Sequence, residues 1–244
     1  MTEKHLRTAT CHSSSNAHRS GDGHGLQLTK RETLTTEQSA KLETEGKGSG
    51  LRRPFPTSER LSYQQAKNLM DGLGFARKLG TPLNAHATIN WEDTDAGGDP
   101  DGRRFARVRE GFDKWLLRRG IRGGLTCIWV REKTSDARGG TVHCHMLFHL
   151  PHPFTTGRKR IEVEDALERL IARHGGGKCL DQASEITEPD EPDGIYFLKG
   201  GGPDVWDEFD VPCQWRTAQG KIYGKRCGFT ENIGPTARGR WNSP

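Results

Sequence analysis

Apolar side chains recur along this chain with two different periods, and the switches between them predict its elements. Ser62-Tyr63-Gln64-Gln65 has the form of a capping box, and Ala66, Leu69, Met70, Leu73 and Ala76 follow at helical spacing until Gly80 and Pro82 end the run. Gly72 and Gly74 weaken that helix. From Asn84 to Trp91 the period becomes two: Ala85, Ala87, Ile89 and Trp91 share one side, and Asn84, His86, Thr88 and Asn90 the other. A Gly/Asp/Pro turn leads to a helix over about 102–119 with Phe105, Val108, Phe112, Trp115 and Leu116 as its buried stripe, closed by Gly120. Residues 125–132 and 141–150 are β-rich and joined by a glycine-containing segment, the pattern of an antiparallel hairpin. A third helix over 162–173 (Val163, Ala166, Leu167, Leu170, Ile171) stops at Gly175-Gly176-Gly177. A strand over 179–187 and a short helical piece over 194–199 complete the pattern.

After the first helix the order is therefore β-α-β-β-α-β followed by α. That order predicts an α+β domain of the ferredoxin-like (RRM-like) split βαβ arrangement, with two helices on one face of an antiparallel sheet. The other face is left open for a site.

Composition divides the chain further. Residues 1–60 are polar, rich in Ser, Thr, Gly and His, and lack any hydrophobic period, so they read as a disordered tail. Residues 61–205 hold the periodic segments, and 206–244 form a basic extension. No run approaches the roughly 18 apolar residues of a membrane span, and the N-terminus lacks a signal-peptide core, so a cytoplasmic location is expected. The six cysteines form no C-x-x-C pair, which speaks against a zinc ribbon and a disulfide framework. Charge is segregated: residues 215–244 carry six Lys/Arg against one acid, whereas 180–210 carry ten acids and one lysine. The basic tail, with Lys221, Lys225 and Arg226 interleaved with Trp215, Tyr223 and Phe229, suits single-stranded or hairpin DNA. A covering layer for the sheet edge is the other reading of the same segment.

The chemistry gathers on the hairpin. Along 141–150 Cys144, Met146, Phe148 and Leu150 share one face, and His143, His145, Leu147 and His149 the other. Setting Glu132 opposite His143 places Val130 opposite His145, Ile128 opposite Leu147 and Trp129 opposite Met146. This keeps most large apolar groups on the helix side. Opposed residues have Cβ atoms roughly 5 Å apart, so Glu132, His143 and His145 form a two-imidazole, one-carboxylate site that suits Mn²⁺ and tolerates Mg²⁺. Cys144 faces the core in this register; its use as a ligand requires the opposite strand face.

His143-Cys144-His145 followed by Met146-Leu147-Phe148, with Glu132 before it, resembles the His-hydrophobic-His signature of the HUH endonucleases. That superfamily covers rolling-circle replication initiators, relaxases and certain transposases. Ala87-Thr88-Ile89-Asn90-Trp91 looks like their first motif and Tyr196-Phe197-Leu198-Lys199 like their third, Y-x-x-K, over roughly residues 83–200. The likeness is greatest to plasmid and phage initiators. Cys144 departs from the bulky aliphatic usual between the two histidines.

The resemblance implies that Tyr196 attacks a phosphate of single-stranded origin DNA, leaving a 5′-phosphotyrosine and a free 3′-OH to prime rolling-circle replication. Elimination agrees, since of the three tyrosines Tyr63 precedes the core and Tyr223 lies in the basic tail. Lys199, one turn on, is placed to favour the phenolate or to neutralise charge on the phosphorane. A host helicase and polymerase are the partners such an initiator implies. A lone tyrosine further implies a homodimer or an activated water to close the replication round. A single-tyrosine transposase, a relaxase, a phosphodiesterase with a metal-bound water, and a non-catalytic DNA-binding module on the same fold are the competing readings.

Overall fold

The computed structural model describes residues 56–91, 99, 102–133, 140, 142–175, 184–187, 194–241 and 243. In chain order these form β1 (Thr57–Ser58), α1 (Tyr63–Lys78), β2 (Ala85–Asn90), α2 (Arg103–Arg118), β3 (Cys127–Lys133) and β4 (Val142–Phe148). They continue with α3 (Gly157–Gly175), β5 (Ser184–Thr187), a 3₁₀ turn (Ile195–Leu198), α4 (Pro203–Glu208), β6 (Ile222–Tyr223), β7 (Cys227–Phe229) and α5 (Pro235–Trp241). The protein is thus α+β. Among the described residues no helix is long and apolar enough to cross a membrane.

The first helix begins where the capping box placed it: Gln65 N donates to Ser62 Oγ (3.3 Å), and Ser62 N donates back to Gln65 Oε1 (2.9 Å). Helix α2 has no side-chain cap at Gly102; instead the buried Asp99 carboxylate accepts from Arg104 N (3.1 Å) and Phe105 N (3.0 Å). Those acceptors satisfy two donors that a helix start leaves unpaired. Arg131 reaches across from β3 and donates through Nη2 to the Asp99 carbonyl (2.6 Å), tying this helix start to the sheet.

The main sheet has five strands in the order β5-β2-β4-β3-β7, all neighbours antiparallel. The β3–β4 register is the one read from the sequence: Glu132 opposes His143, Val130 opposes His145, Trp129 opposes Met146 and Ile128 opposes Leu147. Alternation then sorts the side chains. Ala85, Ala87, Ile89, Cys127, Trp129, Cys144, Met146 and Phe148 pack with Phe105, Val108, Phe112 and Leu116 of α2 and Val163, Leu167 and Ile171 of α3. A one-residue slip of β4 would push the imidazoles into this core and turn Cys144, Met146 and Phe148 outward. Each such side chain contributes about 1.5–3 kcal/mol when buried, so the register is strongly fixed.

Two expectations need correction, and one alternative is borne out. The second face of the sheet is not open: Ile128, Val130 and Leu147 are covered by Leu69 and Leu73 of α1, by Phe197 and Leu198, and by Val205 and Ile233. Helices therefore lie on both faces, because α1, lying before the first predicted strand, carries an apolar stripe that has to be buried somewhere. Of the two readings of the basic extension, the cover for the sheet edge is borne out: β7 adds to the free edge of β3, and the segment belongs to the same compact unit as the sheet. Covering that edge removes a row of unpaired backbone groups. Finally, the ordered region begins before residue 61, since Thr57 and Ser58 pair with Tyr223 and Ile222. The rest of the expected N-terminal tail, the hairpin turn at 134–139 and the strand residues 179–183 lie outside the described residues.

Candidate metal centre

Strand β4 lies between β2 and β3, so the site is assembled from three adjacent strands and the 3₁₀ turn above them. His143 and His145, two residues apart, point to the same face, and pairing with β3 brings Glu132 beside them. One ligand atom from each of Glu132, His143 and His145 lies within 4.8 Å of the others. Glu132 Oε2 is 3.3 Å from His143 Nε2 and 3.5 Å from His145 Nε2. Glu132 and His145 are buried, whereas His143 is partly open to solvent.

This donor set fits a divalent cation. Although the imidazoles and an ammonium stand within ion-pair distance of Glu132, neither carboxylate oxygen has a hydrogen bond of good angle among the described residues. The Lys199 ammonium at 2.8 Å offsets part of the cost of burying this charge, and a cation among the three ligand atoms would supply the coordination that hydrogen bonds do not. The protonation states agree. Burial pushes the Glu132 carboxyl up, but His143, His145 and the Lys199 charge outweigh it and hold the group well below the usual carboxylate range. Burial lowers the His145 imidazole despite the attraction of Glu132. An ionised carboxylate beside a neutral imidazole is what metal ligation requires.

A further pair of groups orients His145. Its Nδ1 lies 3.2 Å from Thr88 Oγ1 and 3.2 Å from His86 Nε2, both on β2. With Nδ1 carrying the proton and donating to one of them, Nε2 offers its lone pair toward Glu132 and His143. This tautomer follows from the two partners and the ligand role. Burial, then the charges of His145 and Lys199, bring the His86 pKa down to about 4, so His86 stays neutral and able to accept.

Tyr196 comes to the site on the 3₁₀ turn. Gly194 starts that turn at φ 88°, and a Cβ there would stand 2.5 Å from Leu73 Cδ2, so glycine is required on both counts. Lys199 Nζ donates to Tyr196 Oη (2.5 Å) and lies 2.8 Å from Glu132 Oε2 and 3.3 Å from His145 Nε2. One ammonium thus links the phenol to the triad. The Lys199 carbonyl accepts from Trp206 Nε1 (3.1 Å) and Thr217 N (3.2 Å), which fixes the backbone beneath it. The Tyr196 ring meets His145 edge-on at 5.3 Å and Trp215 at 5.8 Å.

The structure therefore brings together Glu132, His143, His145, Tyr196 and Lys199. The three basic residues expected to hold DNA are scattered. Lys221 and Lys225 are exposed, but the Lys225 ammonium lies over Trp129 at 5.5 Å, a side chain of the face that packs on α2 and α3, opposite the triad. Arg226 is a correction: it is 1% exposed and donates to Ser58 Oγ, the Ser58 carbonyl and the Gly220 carbonyl. It clamps β1 to the tail and presents nothing to a ligand. Cys144 faces the core, where Trp91 Nε1 donates to its Sγ (3.3 Å) and burial pushes its thiol up to about 12. It is no ligand.

His86, Thr88, Trp206 and Trp215 are site residues whose contacts the sequence did not disclose. For His86 and Thr88 the signal was their place on the non-core side of β2; what was missing was the β2–β4 register, which sets Thr88 opposite His145. Compared with protein-family models, curated proteins and solved structures, the chain matches none of them.

Proposed function

We propose that this protein is a metal-dependent endonuclease of the HUH type, which nicks single-stranded origin DNA by tyrosine transesterification and so initiates rolling-circle replication. The observation that carries the reading is the single lysine that touches both the Tyr196 phenol and the Glu132 carboxylate of the triad. A nucleophile and a cation site this close are what cleavage of a phosphodiester needs. The strand order β5-β2-β4-β3 is also the order that a ferredoxin-like domain would have, with β7 an addition at its edge. Two imidazoles and one carboxylate favour Mn²⁺ and accept Mg²⁺.

When held by Glu132, His143 and His145, the ion supplies Lewis acidity toward a non-bridging phosphoryl oxygen. The remaining roles belong to the chain. Tyr196 Oη forms a bond to phosphorus as the bond from phosphorus to the 3′-oxygen breaks, and the phenolic proton ends on the released 3′-OH. One P–O bond replaces another, so the 3′-OH of a strand can later reverse the step and free the tyrosine. Lys199, between phenol and carboxylate, offers positive charge where the phosphorane gains negative charge. Thr88 and His86 hold His145 in the ligating tautomer.

The test is incubation of the full chain with single-stranded oligonucleotides from its replicon and Mn²⁺. The expected product is a protease-sensitive covalent adduct on the 5′ end of the downstream fragment, lost in Tyr196→Phe and in EDTA. Cleavage that persists in Tyr196→Phe without an adduct identifies a phosphodiesterase using water. Binding without any cleavage identifies a non-catalytic DNA-binding module. Adducts that form only on transposon ends or a transfer origin identify a transposase or a relaxase with the same chemistry.

A further inference from the structure

The chain segment that follows α4 carries a ring placed for a second task. Of the three aromatic side chains interleaved with the tail's basic residues, Tyr223 stands 49% exposed on β6, and Phe229 lies beneath the Arg238 guanidinium at 5.8 Å. Neither touches the Tyr196 ring. Trp215 does, at 5.8 Å between centroids and 82° between planes. Rings crossed at that angle meet edge to face and do not stack on one another.

Three features say that Trp215 is more than a piece of core. It ends a 3₁₀ turn, Cys213–Trp215, that contains no buried residue, and it is itself only partly buried. It packs against the edge of the core, and its indole N–H makes no hydrogen bond among the described residues; the same holds for the buried Trp129, but the Trp215 donor lies in a partly exposed side chain. The chain after it is pinned to the site: Thr217 N donates to the Lys199 carbonyl (3.2 Å) and Gly220 N donates to the Lys133 carbonyl (2.8 Å), next to Glu132. A large ring with a spare donor is thus held at the rim, beside the nucleophile.

We infer that Trp215 is a stacking platform for a nucleobase of single-stranded DNA, the base that adjoins the phosphate presented to Tyr196. The inference rests on the proposed function for the identity of that phosphate. A base is separated from its own phosphate by one sugar, a span of the same order as the spacing between the two rings. Every base has a π-face, so the platform tolerates any sequence and sets affinity and register, not base identity. Trp215 is in this sense a substrate-positioning residue that holds the strand while Tyr196 reacts.

The experiment compares binding of (dT)₁₂ with binding of a fully abasic 12-mer that keeps the phosphates and lacks the bases. It uses the full chain carrying Tyr196→Phe, which does not cleave, in Mn²⁺ buffer. Fluorescence anisotropy gives the ratio of the two affinities. Trp215→Ala should lower that ratio on the order of ten- to a hundredfold by weakening (dT)₁₂ alone, and Trp215→Phe should keep most of it. A merely structural role moves both probes together or neither, because the abasic strand makes the same phosphate contacts. A ratio unchanged by Trp215→Ala overturns the platform even where wild type forms its Tyr196 adduct. A ratio that collapses while no strand ever yields an adduct keeps the platform and removes the nuclease. Failure of the unsubstituted Trp215 chain to prefer (dT)₁₂ overturns it outright.

Discussion

Glu132→Gln removes one charge from the centre and almost no volume, so its effect isolates the electrostatics of the triad. In the metal-free protein the carboxylate faces the Lys199 ammonium at 2.8 Å, with the two side chains 1% and 11% exposed. Removing one member of a buried pair costs about 3–5 kcal/mol because the other charge is left without compensation. Lys199 lies at the rim and can turn its ammonium toward water, which places the expectation at the low end, about 3 kcal/mol. Urea unfolding in EDTA should show this loss with an unchanged slope. Mn²⁺ at a hundred times its Kd should then stabilise wild type by about 2.7 kcal/mol and leave Glu132→Gln unmoved. The pH dependence has a definite sign. The folded-state pKa of Glu132 lies below its ordinary 4.5, so its contribution is complete above that value and disappears as pH falls through the lower one. The gap between wild type and variant should accordingly be constant from pH 7 to about 5.5 and narrow in stronger acid. A variant within about 0.5 kcal/mol of wild type in EDTA, and equally stabilised by Mn²⁺, would refute both the pairing and the metal site.

Arg226→Met should cost about 2–4 kcal/mol, because three charge-assisted hydrogen bonds to Ser58 and Gly220 are lost in a buried place. Its DNA affinity per folded molecule should equal that of wild type in anisotropy measurements, and a selective loss of DNA binding would restore the arginine to the interface. The His86 imidazole should titrate by NMR near pH 4 in the metal-free protein, and a midpoint near 6.5 would remove its burial against His145. Because the unfolded chain takes up that proton first, stability should fall as pH drops from about 6.5 toward 4, and His86→Phe should flatten that slope. Chelation should leave the far-UV circular dichroism unchanged, since β4 is paired on both edges without any ion; a metal-free protein that unfolds would contradict the strand-held site.

What the sequence disclosed about this molecule was mostly local. The hairpin register could be read because only one pairing keeps Cys144, Met146 and Phe148 with Trp129 while leaving the imidazoles beside Glu132. The start of α1 could be read because Ser62 and Gln65 satisfy each other within one turn. Non-local facts were hidden. A cover for the sheet edge was one of two readings of the tail, but nothing in the residues 227–229 says which strand they pair with, and Arg226 looks as suitable for phosphate as Lys221 does. Its role is set by a serine 168 positions away. In the same way His86 and Thr88 showed their face but not their partner, because the distance to His145 depends on which strand lies alongside β2.

The placement of the ligands on β4 explains how the centre can be ready before an ion arrives. His143 and His145 have their backbones held by β2 on one side and β3 on the other, so neither can shift without breaking two ladders. The carboxylate comes from the strand on one flank, and the groups that orient His145 come from the strand on the other. Precision is thereby built from register, a quantity fixed by the whole apolar face of the sheet and not by any contact at the site. The proposed nucleophile is held differently. Tyr196 rides on a short 3₁₀ turn whose place depends on Gly194, on the Lys199 carbonyl and on the lysine's own ammonium. A rigid ligand platform beneath a tyrosine on a lighter support suits the proposed reaction, in which the strand, once joined to the phenol, would have to be carried without disturbing the ion.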